Sequence, residues 1–319
     1  MAQKVIIDAD PGIGDALAIV TALLDPELDV LAITSCAGRV SGEAATRNIH
    51  AIVEYVDPPK RPRIGASQAP LPAIHGDPAN TGVNPTLFNG PNGLGDFEVP
   101  VAELHRQYDA SKLLLELVRT YPDEIRLITL GPLTNLAGAM EKAPEFVGLL
   151  NGLYCMGGSL TYGGDATAAA EFNIFADPQA ARMVLRSAAT KTLIPLDITT
   201  RVVMTYEEFS RLPIPPHLPI HRLLTQSIPF AFRAQHEFLG TEVLPLPEVV
   251  AIAAVSHPRL VEQQGACLDV ETSGELTTGM TVVDHRRIGQ WKSNIEVLTD
   301  VDERGVLDYL ANVLRQFSA

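Results

Sequence analysis

The chain has 319 residues, of which 46% are hydrophobic, and 24 Lys+Arg stand against 38 Asp+Glu for a formal net charge of −14. This composition excludes a disordered chain, and an acidic balance without a basic cluster argues against binding nucleic acid through its phosphates. Cys36, Cys155 and Cys267 are odd in number, far apart and set in apolar segments, which predicts reduced thiols in a cytoplasm and no disulfide framework or zinc site.

The first apolar run follows Lys4 directly, so no signal-peptide pattern precedes it. It reads Val5-Ile6-Ile7-Asp8-Ala9-Asp10-Pro11-Gly12-Ile13-Gly14-Asp15. A strand from Lys4 carries these acids to its C-terminal tip and the turn beyond; Pro11 and Gly12 end it, and residues 16–24 read as a helix. Ligands gather at the carboxyl ends of strands in a parallel α/β sheet. Acids crowded there call for a cation, for which a hard divalent ion with oxygen ligands is suited. An N-cap plus two solvated acids explains the same spacing.

Residues 30–35 read as a strand and 43–56 as a helix. Residues 66–100, rich in Pro, Gly and Asn, read as a functional loop or lid. Strands at 125–130, 152–156 and 190–195 then alternate with helices at 133–142 and 178–186. Beyond Thr205 the pattern is helical, with strand-like runs at 280–283 and 295–297. The expected fold is α/β: an open, mostly parallel sheet flanked by helices, as one domain over residues 1–319, with a helical insertion in the C-terminal third. No apolar run reaches the roughly 18–20 residues that span a bilayer.

Three further segments can join the acids. Gly131-Pro132-Leu133-Thr134-Asn135 follows a strand and puts the Leu130 carbonyl at the same sheet edge as Asp10, although a plain βα turn reads the same way. Gly157-Gly158-Ser159 and Gly163-Gly164-Asp165 permit close approach of a ligand to backbone. Glu171 and Asn173, two residues apart, face one side of an extended segment, and an acceptor beside an amide suits sugar hydroxyls. Pro247-Glu248 opens an apolar helix, where the N-terminal dipole already favours a carboxylate. His75, in the long loop, and His236 with Arg233, near Glu248, are placed to line a pocket. His50, His105 and His257 read as structural, and Trp291 as packing.

Taken together, these segments resemble the nucleoside hydrolases, the inosine–uridine-preferring N-ribohydrolases, over essentially the whole chain. The matching pieces are the Asp8-to-Asp15 stretch, Gly131 to Asn135, Gly157-Gly158 with Glu171-Phe172-Asn173-Ile174 and Asp177-Pro178, and the late acidic residue that opens a helix. The resemblance implies hydrolysis of a nucleoside's N-glycosidic bond, one bound Ca2+ ion, and a homodimer or homotetramer. It implies Asp10 and Asp15 as calcium ligands through side chains and Leu130 through its carbonyl. Asp10 doubles as general base, and Glu171 and Asn173 hold the sugar.

Five positions depart from the family pattern, and the His-Gly pair of the long loop is displaced, with Asn89-Gly90 where it would otherwise align. Gly14 replaces a second sugar-facing Asp, Arg39 an Asn, Asp165 an Asn, and Pro247-Glu248 a His-Asp pair. Glu for Asp keeps an oxygen donor, so Glu248 is expected to remain a metal ligand. Gly14, Arg39 and Asp165 predict a sugar end rebuilt for another substrate, for which an anionic ribose suits Arg39. With the family's His absent, His75 and His236 are the candidate acids. A non-catalytic nucleoside- or calcium-binding relative is the alternative. A haloacid-dehalogenase-type phosphatase is disfavoured because Pro11-Gly12 follows the second Asp and the chain contains no Asp-Asp pair.

Overall fold

The computed structural model describes residues 2–67, 69–70, 85–99, 107–286 and 292–317. In chain order the strands are β1 (Gln3–Ala9), β2 (Leu28–Ser35), β3 (Arg63–Ala66), β4 (Tyr108–Asp109), β5 (Arg126–Thr129), β6 (Gly152–Met156) and β7 (Lys191–Ile194). They continue with β8 (Val203–Thr205), β9 (Val243–Pro245), β10 (Val261–Ala266), β11 (Leu268–Val270), β12 (Thr281–Val283) and β13 (Ile295–Val301). The main sheet runs β10-β13-β7-β6-β5-β1-β2-β3-β4. It is parallel except for the antiparallel edge pair β10–β13. The expected open, mostly parallel sheet flanked by helices is what forms.

Ile6 of β1 packs on one face of the sheet, while Val5, Ile7 and Ala9 pack on the other. Both faces are covered, which is why β1 reads as an unbroken apolar run and not as alternation. The chain leaves β1 toward β2, β3 and β4, then returns to pair β5 on the opposite side of β1. The direction of winding therefore reverses between β1 and β5, and a crevice opens beyond their carboxyl ends. Asp10 and Leu130 are the first residues past those two ends.

Helix α1 (Ile13–Leu24) follows β1, and α2 (Gly42–Val56) follows β2. The helical insertion lies between β8 and β9, whose antiparallel pairing draws its two ends together. It contains the helix Pro219–Ala234 and a single π-helical turn, Gln235–Leu239. The helix Pro247–Ser256 then returns to the core. Its residues Val249 to Val255 are all buried, in one apolar cluster with Leu17, Ile19 and Val20 of α1.

Several elements had no counterpart in the sequence reading, among them β3, the helix Ala110–Thr120, the helix Glu303–Phe317 and, within the stretch read as helical, the strands β9, β10 and β11. The first is only four residues long and gives no usable period. The second begins close behind the Pro/Gly-rich stretch. In that stretch Pro85–Asn89 is a short helix. His75 and Trp291 lie outside the described residues. Glu171 and Asn173 do not share one extended segment, as the sequence suggested: Glu171 is extended but caps the short helix Phe172–Ala176, with Asn173 in its first turn.

Asp8 is buried, but it serves the scaffold. Its Oδ1 accepts from the Thr34 hydroxyl and, at 2.8 Å, from Asn135 Nδ2, which also donates to the Ser35 carbonyl at 2.8 Å. This ties β1, β2 and the turn after β5 together, and burial pushes the Asp8 carboxyl up to about 7. Removing the amide leaves a buried carboxylate and a carbonyl short of donors, so Asn135→Ala is expected to cost about 2–3 kcal/mol. Urea denaturation measures this; a loss below about 0.5 kcal/mol would mean the network does not hold the strands together.

Candidate active site

Asp10 sits one residue past β1 and is 1% exposed. Its carboxylate lies between two glycines. A Cβ on residue 38 would fall 2.7 Å from the Asp10 carboxyl carbon, and one on residue 131 would fall 3.0 Å from it. Oδ2 accepts the Arg39 backbone N–H. Desolvation is the first cause pushing the Asp10 carboxyl up to about 7, while the Arg39 N–H and guanidinium oppose it and Glu248 adds to it.

Asp15 lies in the first turn of α1, where its Oδ2 accepts from Gly12 N at 3.0 Å. Its Oδ1 is buried and has no partner among the described residues. Burial, then the charges of Asp10 and Glu248, push this carboxyl well above the usual range. Glu248 enters from the opposite side, on the first turn of Pro247–Ser256. Burial raises it as well, and the Arg39 charge offsets part of the rise.

Glu171 and Asn173 are largely engaged by their own loops. Glu171 accepts from the backbone N–H of Gly158 at 2.9 Å, of Asn173 at 2.9 Å and of Ile174 at 3.1 Å. Burial nevertheless holds its carboxyl at about 8. Asn173 Nδ2 donates to the Leu130 carbonyl at 2.8 Å and to the Met156 carbonyl at 3.1 Å. Its amide thus links the ends of β5 and β6 and leaves its oxygen for a ligand.

Arg39 is the cation among these acids. Its guanidinium stacks on the Phe172 ring, 3.8 Å from the centroid, and Nη2 meets Asp165 Oδ2 at 3.2 Å. Asp165 is fixed in turn by the Phe172 N–H, which donates to its Oδ1 at 2.8 Å. Burial acts to lower the Arg39 pKa, but the charges of Asp165, Asp10, Glu171 and Glu248 together outweigh it and raise the pKa.

Asp10, Asp15, Leu130, Arg39, Asp165, Glu171, Asn173 and Glu248 together line one cavity of about 50 Å³, enough for an ion and a water. A wider cavity of about 430 Å³ opens from it and shares Asp15, Arg39, Asp165 and Glu248, with Gly14 lining the wider cavity alone. Its far wall is apolar and aromatic, formed by Phe88, Tyr162, Leu239 and Leu244, with the amides of Asn89 and Gln235. Phe88 meets Phe238 edge-on, with centroids 5.8 Å apart, at the rim.

The donors fit a hard cation. They are all oxygens, and the buried, unpartnered Asp15 Oδ1 faces a group of desolvated carboxylates. Among the described residues no three carboxylate, imidazole or thiolate side chains form a ready-made group for a metal. A backbone carbonyl such as that of Leu130, with water or ligand oxygens, has to complete a coordination shell here.

His236 is not part of the site. Its side chain is 68% exposed and pairs with Glu242 at 2.7 Å; it projects from the π-helical turn to the surface, while Gln235 and Leu239 of that turn reach the cavity. Arg233 is drawn instead to Asp96. The structure also adds residues that spacing did not single out. Asn89 accepts the Ile13 N–H at 2.9 Å and so seats the start of α1. Asp197 accepts from the backbone N–H of Leu160, Thr161 and Tyr162 and clamps the glycine-rich loop. Asn89 offered one signal, its place with Gly90 where the family's His-Gly pair would align; Asp197, just past the carboxyl end of β7, offered none.

Three comparisons agree with this geometry. The sequence profile of the family described as inosine-uridine preferring nucleoside hydrolase matches residues 5–308. The chain is 33% identical over 321 residues to the pyrimidine-specific ribonucleoside hydrolase RihA of Escherichia coli O9:H4 (strain HS), covering 100% of both chains. Among solved structures, a plant nucleoside hydrolase superposes with a TM-score of 0.87 at 28% identity, covering 98% of this chain and 99% of that one. A purine-preferring ribonucleoside hydrolase from Gardnerella vaginalis superposes at 0.86 and 27% identity, covering 99% of each. With its acids gathered at the switch point of the sheet, the chain belongs to the inosine–uridine-preferring nucleoside hydrolase family and is an N-glycosyl hydrolase.

Proposed function

We propose that this protein hydrolyses the N-glycosidic bond of ribonucleosides with the help of a calcium ion, and that its sugar end selects differently from relatives that carry an Asp at position 14. The observation that carries the reading is the convergence of Asp10, Asp15, Glu248 and the Leu130 carbonyl on one small cavity that opens into a larger apolar one. Asp10, Asp15, Glu248 and Leu130 would hold the ion. When bound, it supplies positive charge that orients water and sugar hydroxyls and makes the water more acidic.

The chain's own groups do the rest. Asp10, fixed between Gly38 and Gly131, takes a proton from the attacking water as its oxygen bonds to the anomeric carbon and the C–N bond breaks. Positive charge grows on the sugar in that step, and the surrounding carboxylates stabilise it. The side-chain oxygen of Asn173, and the lone pair that Glu171 Oε1 keeps beyond its bond from the Asn173 N–H, are placed for sugar hydroxyls. The base departs toward Phe88, Tyr162 and Leu239, where Asn89, Gln235 and the Tyr162 hydroxyl can hydrogen-bond it. No imidazole of the described residues lines either cavity, so His75 is the remaining histidine candidate for an acid.

The surroundings of Arg39 argue against an anionic sugar. Its charge is matched by four carboxylates and one edge is held by Asp165, so it neutralises the site instead of recruiting a phosphate. Plain ribonucleosides are therefore expected to be cleaved at least ~10-fold faster, in kcat/KM, than their 5′-monophosphates, since like-charge repulsion opposes the latter. The reverse preference, abolished by Arg39→Ala, would establish anion recognition instead.

Reducing-sugar release from a ribonucleoside panel tests the main reading. Asp10→Asn should lower kcat by about 10²–10⁴-fold, the usual worth of a positioned base. A variant within threefold of wild type on every substrate would remove Asp10 from the chemistry. Retained ion binding without turnover in the wild type would favour a non-catalytic, calcium-binding relative.

The raised carboxyls also set a pH dependence. With Asp10 at about 7 and Glu171 at about 8 in the folded chain, the unfolded chain loses these protons first as pH rises. Without divalent ions, stability is expected to fall between about pH 4 and 8 and then level off. Calcium favours the ionised forms and should flatten that fall. Melting temperatures across this range, in chelator and in calcium, measure both curves; identical curves would contradict the metal reading.

A further inference from the structure

Gly14 and Glu248 occupy one space. A Cβ on residue 14 would stand 2.5 Å from the carboxyl carbon of Glu248 and 2.7 Å from its Oε1, with Oε2 nearer still. These distances are inside van der Waals contact, so the Glu248 carboxylate lies directly on the bare backbone of α1. We propose that Glu248, reaching across from the helix Pro247–Ser256, supplies at this point the carboxylate that a side chain on α1 would otherwise carry, and that it can do so only because residue 14 is glycine. The proposal rests on the nucleoside hydrolase reading for its functional consequence, but not for its geometry.

Neither backbone can move aside to relieve a side chain at position 14. In α1, Ile13 and residues 15–22 are buried, the first turn is closed by the Gly12–Asp15 hydrogen bond, and Asn89 holds the Ile13 N–H. In the facing helix, Pro247 fixes the first residue and Val249 to Val255 are buried without a break. The movable part is the carboxylate at the end of the Glu248 side chain, and the wider cavity that it also lines gives it somewhere to swing. A substitution at 14 should therefore leave the fold intact and displace the donor. The extra methylene of Glu over Asp is what brings the carboxylate onto Gly14, so shortening the acid should relieve the conflict. Residues 14 and 248 would then behave as one unit that sets the shape of the site between Asp15 and Arg39.

Calcium titrations by calorimetry on the full-length chain test this, with Gly14→Ala, Glu248→Asp and the double variant compared with wild type. Gly14→Ala is expected to melt within 3 °C of wild type yet bind calcium at least ~10-fold more weakly. Glu248→Asp alone is expected to bind severalfold more weakly, and the double variant to bind at least ~5-fold more tightly than Gly14→Ala. The same order should appear in kcat/KM for ribonucleosides. Independent effects that multiply in the double variant, or wild-type binding by Gly14→Ala, would overturn the pairing. Should the wild-type chain bind no divalent ion, the metal reading fails by itself, and a crystal structure of Gly14→Ala decides the pairing. A Glu248 carboxylate swung away from residue 14 supports it, and an unmoved carboxylate with a shifted α1 refutes it.

Discussion

Carboxylates held together out of water repel one another, and four of them, Asp10, Asp15, Glu171 and Glu248, line a single small cavity in this protein, with the more exposed Asp165 at its edge. Burial is the first cause of the upward shift at Asp10, Asp15, Glu171 and Glu248, and mutual repulsion adds to it. Such a cluster persists only because the rest of the fold is rigid enough to hold it. The parallel sheet, covered on both faces, supplies that rigidity, and its reversal between β1 and β5 supplies the opening.

The acids approach one another so closely because they are seated on glycines. Asp10 lies between the α-carbons of Gly38 and Gly131, and Glu248 lies on Gly14. In each case a methyl group at the glycine would overlap the carboxylate, so the shape of the site is set as much by missing side chains as by those present. Hydrogen bonds complete the frame from behind: Asn173 joins the ends of β5 and β6, Glu171 caps the helix it precedes, and Asp8 with Asn135 ties β1 to its neighbours.

Arg39 gives this site its particular balance. Stacked on Phe172 and held by Asp165, it stands within the field of the other acids and offsets part of their repulsion. Its backbone N–H serves the same end by donating to Asp10. One arginine thus supports the proposed base twice, through a hydrogen bond and through charge, which a neutral residue at this position could do only once.

The mostly parallel sheet, six of the nine strands that form it and the edge at which chemistry gathers were legible in the sequence, because apolar runs ending in Asp10, Leu130 and Met156 record burial on both faces followed by a βα turn. It also marked Asp10, Asp15 and Glu248, each beside a Gly or Pro near the end of a strand or the start of a helix, and Glu171 with Asn173 through their two-residue spacing behind a glycine-rich loop. The rest, including the order of strands in the sheet, depends on approach between segments distant along the chain. Spacing carries no sign that Glu248 lies on Gly14, 234 positions earlier in the numbering, or that Asp197 clamps the loop at Thr161. Asp8 and Asp10 look alike in the sequence, yet one is tied through Oδ1 to Thr34 and Asn135 inside the sheet while the other faces the cavity. His236 stands near Glu248 in sequence but turns to Glu242 at the surface. Local pattern fixes which residues reach a sheet edge; which groups share a volume is fixed by the packing of whole elements, and charge and hydrogen bonding take effect only there.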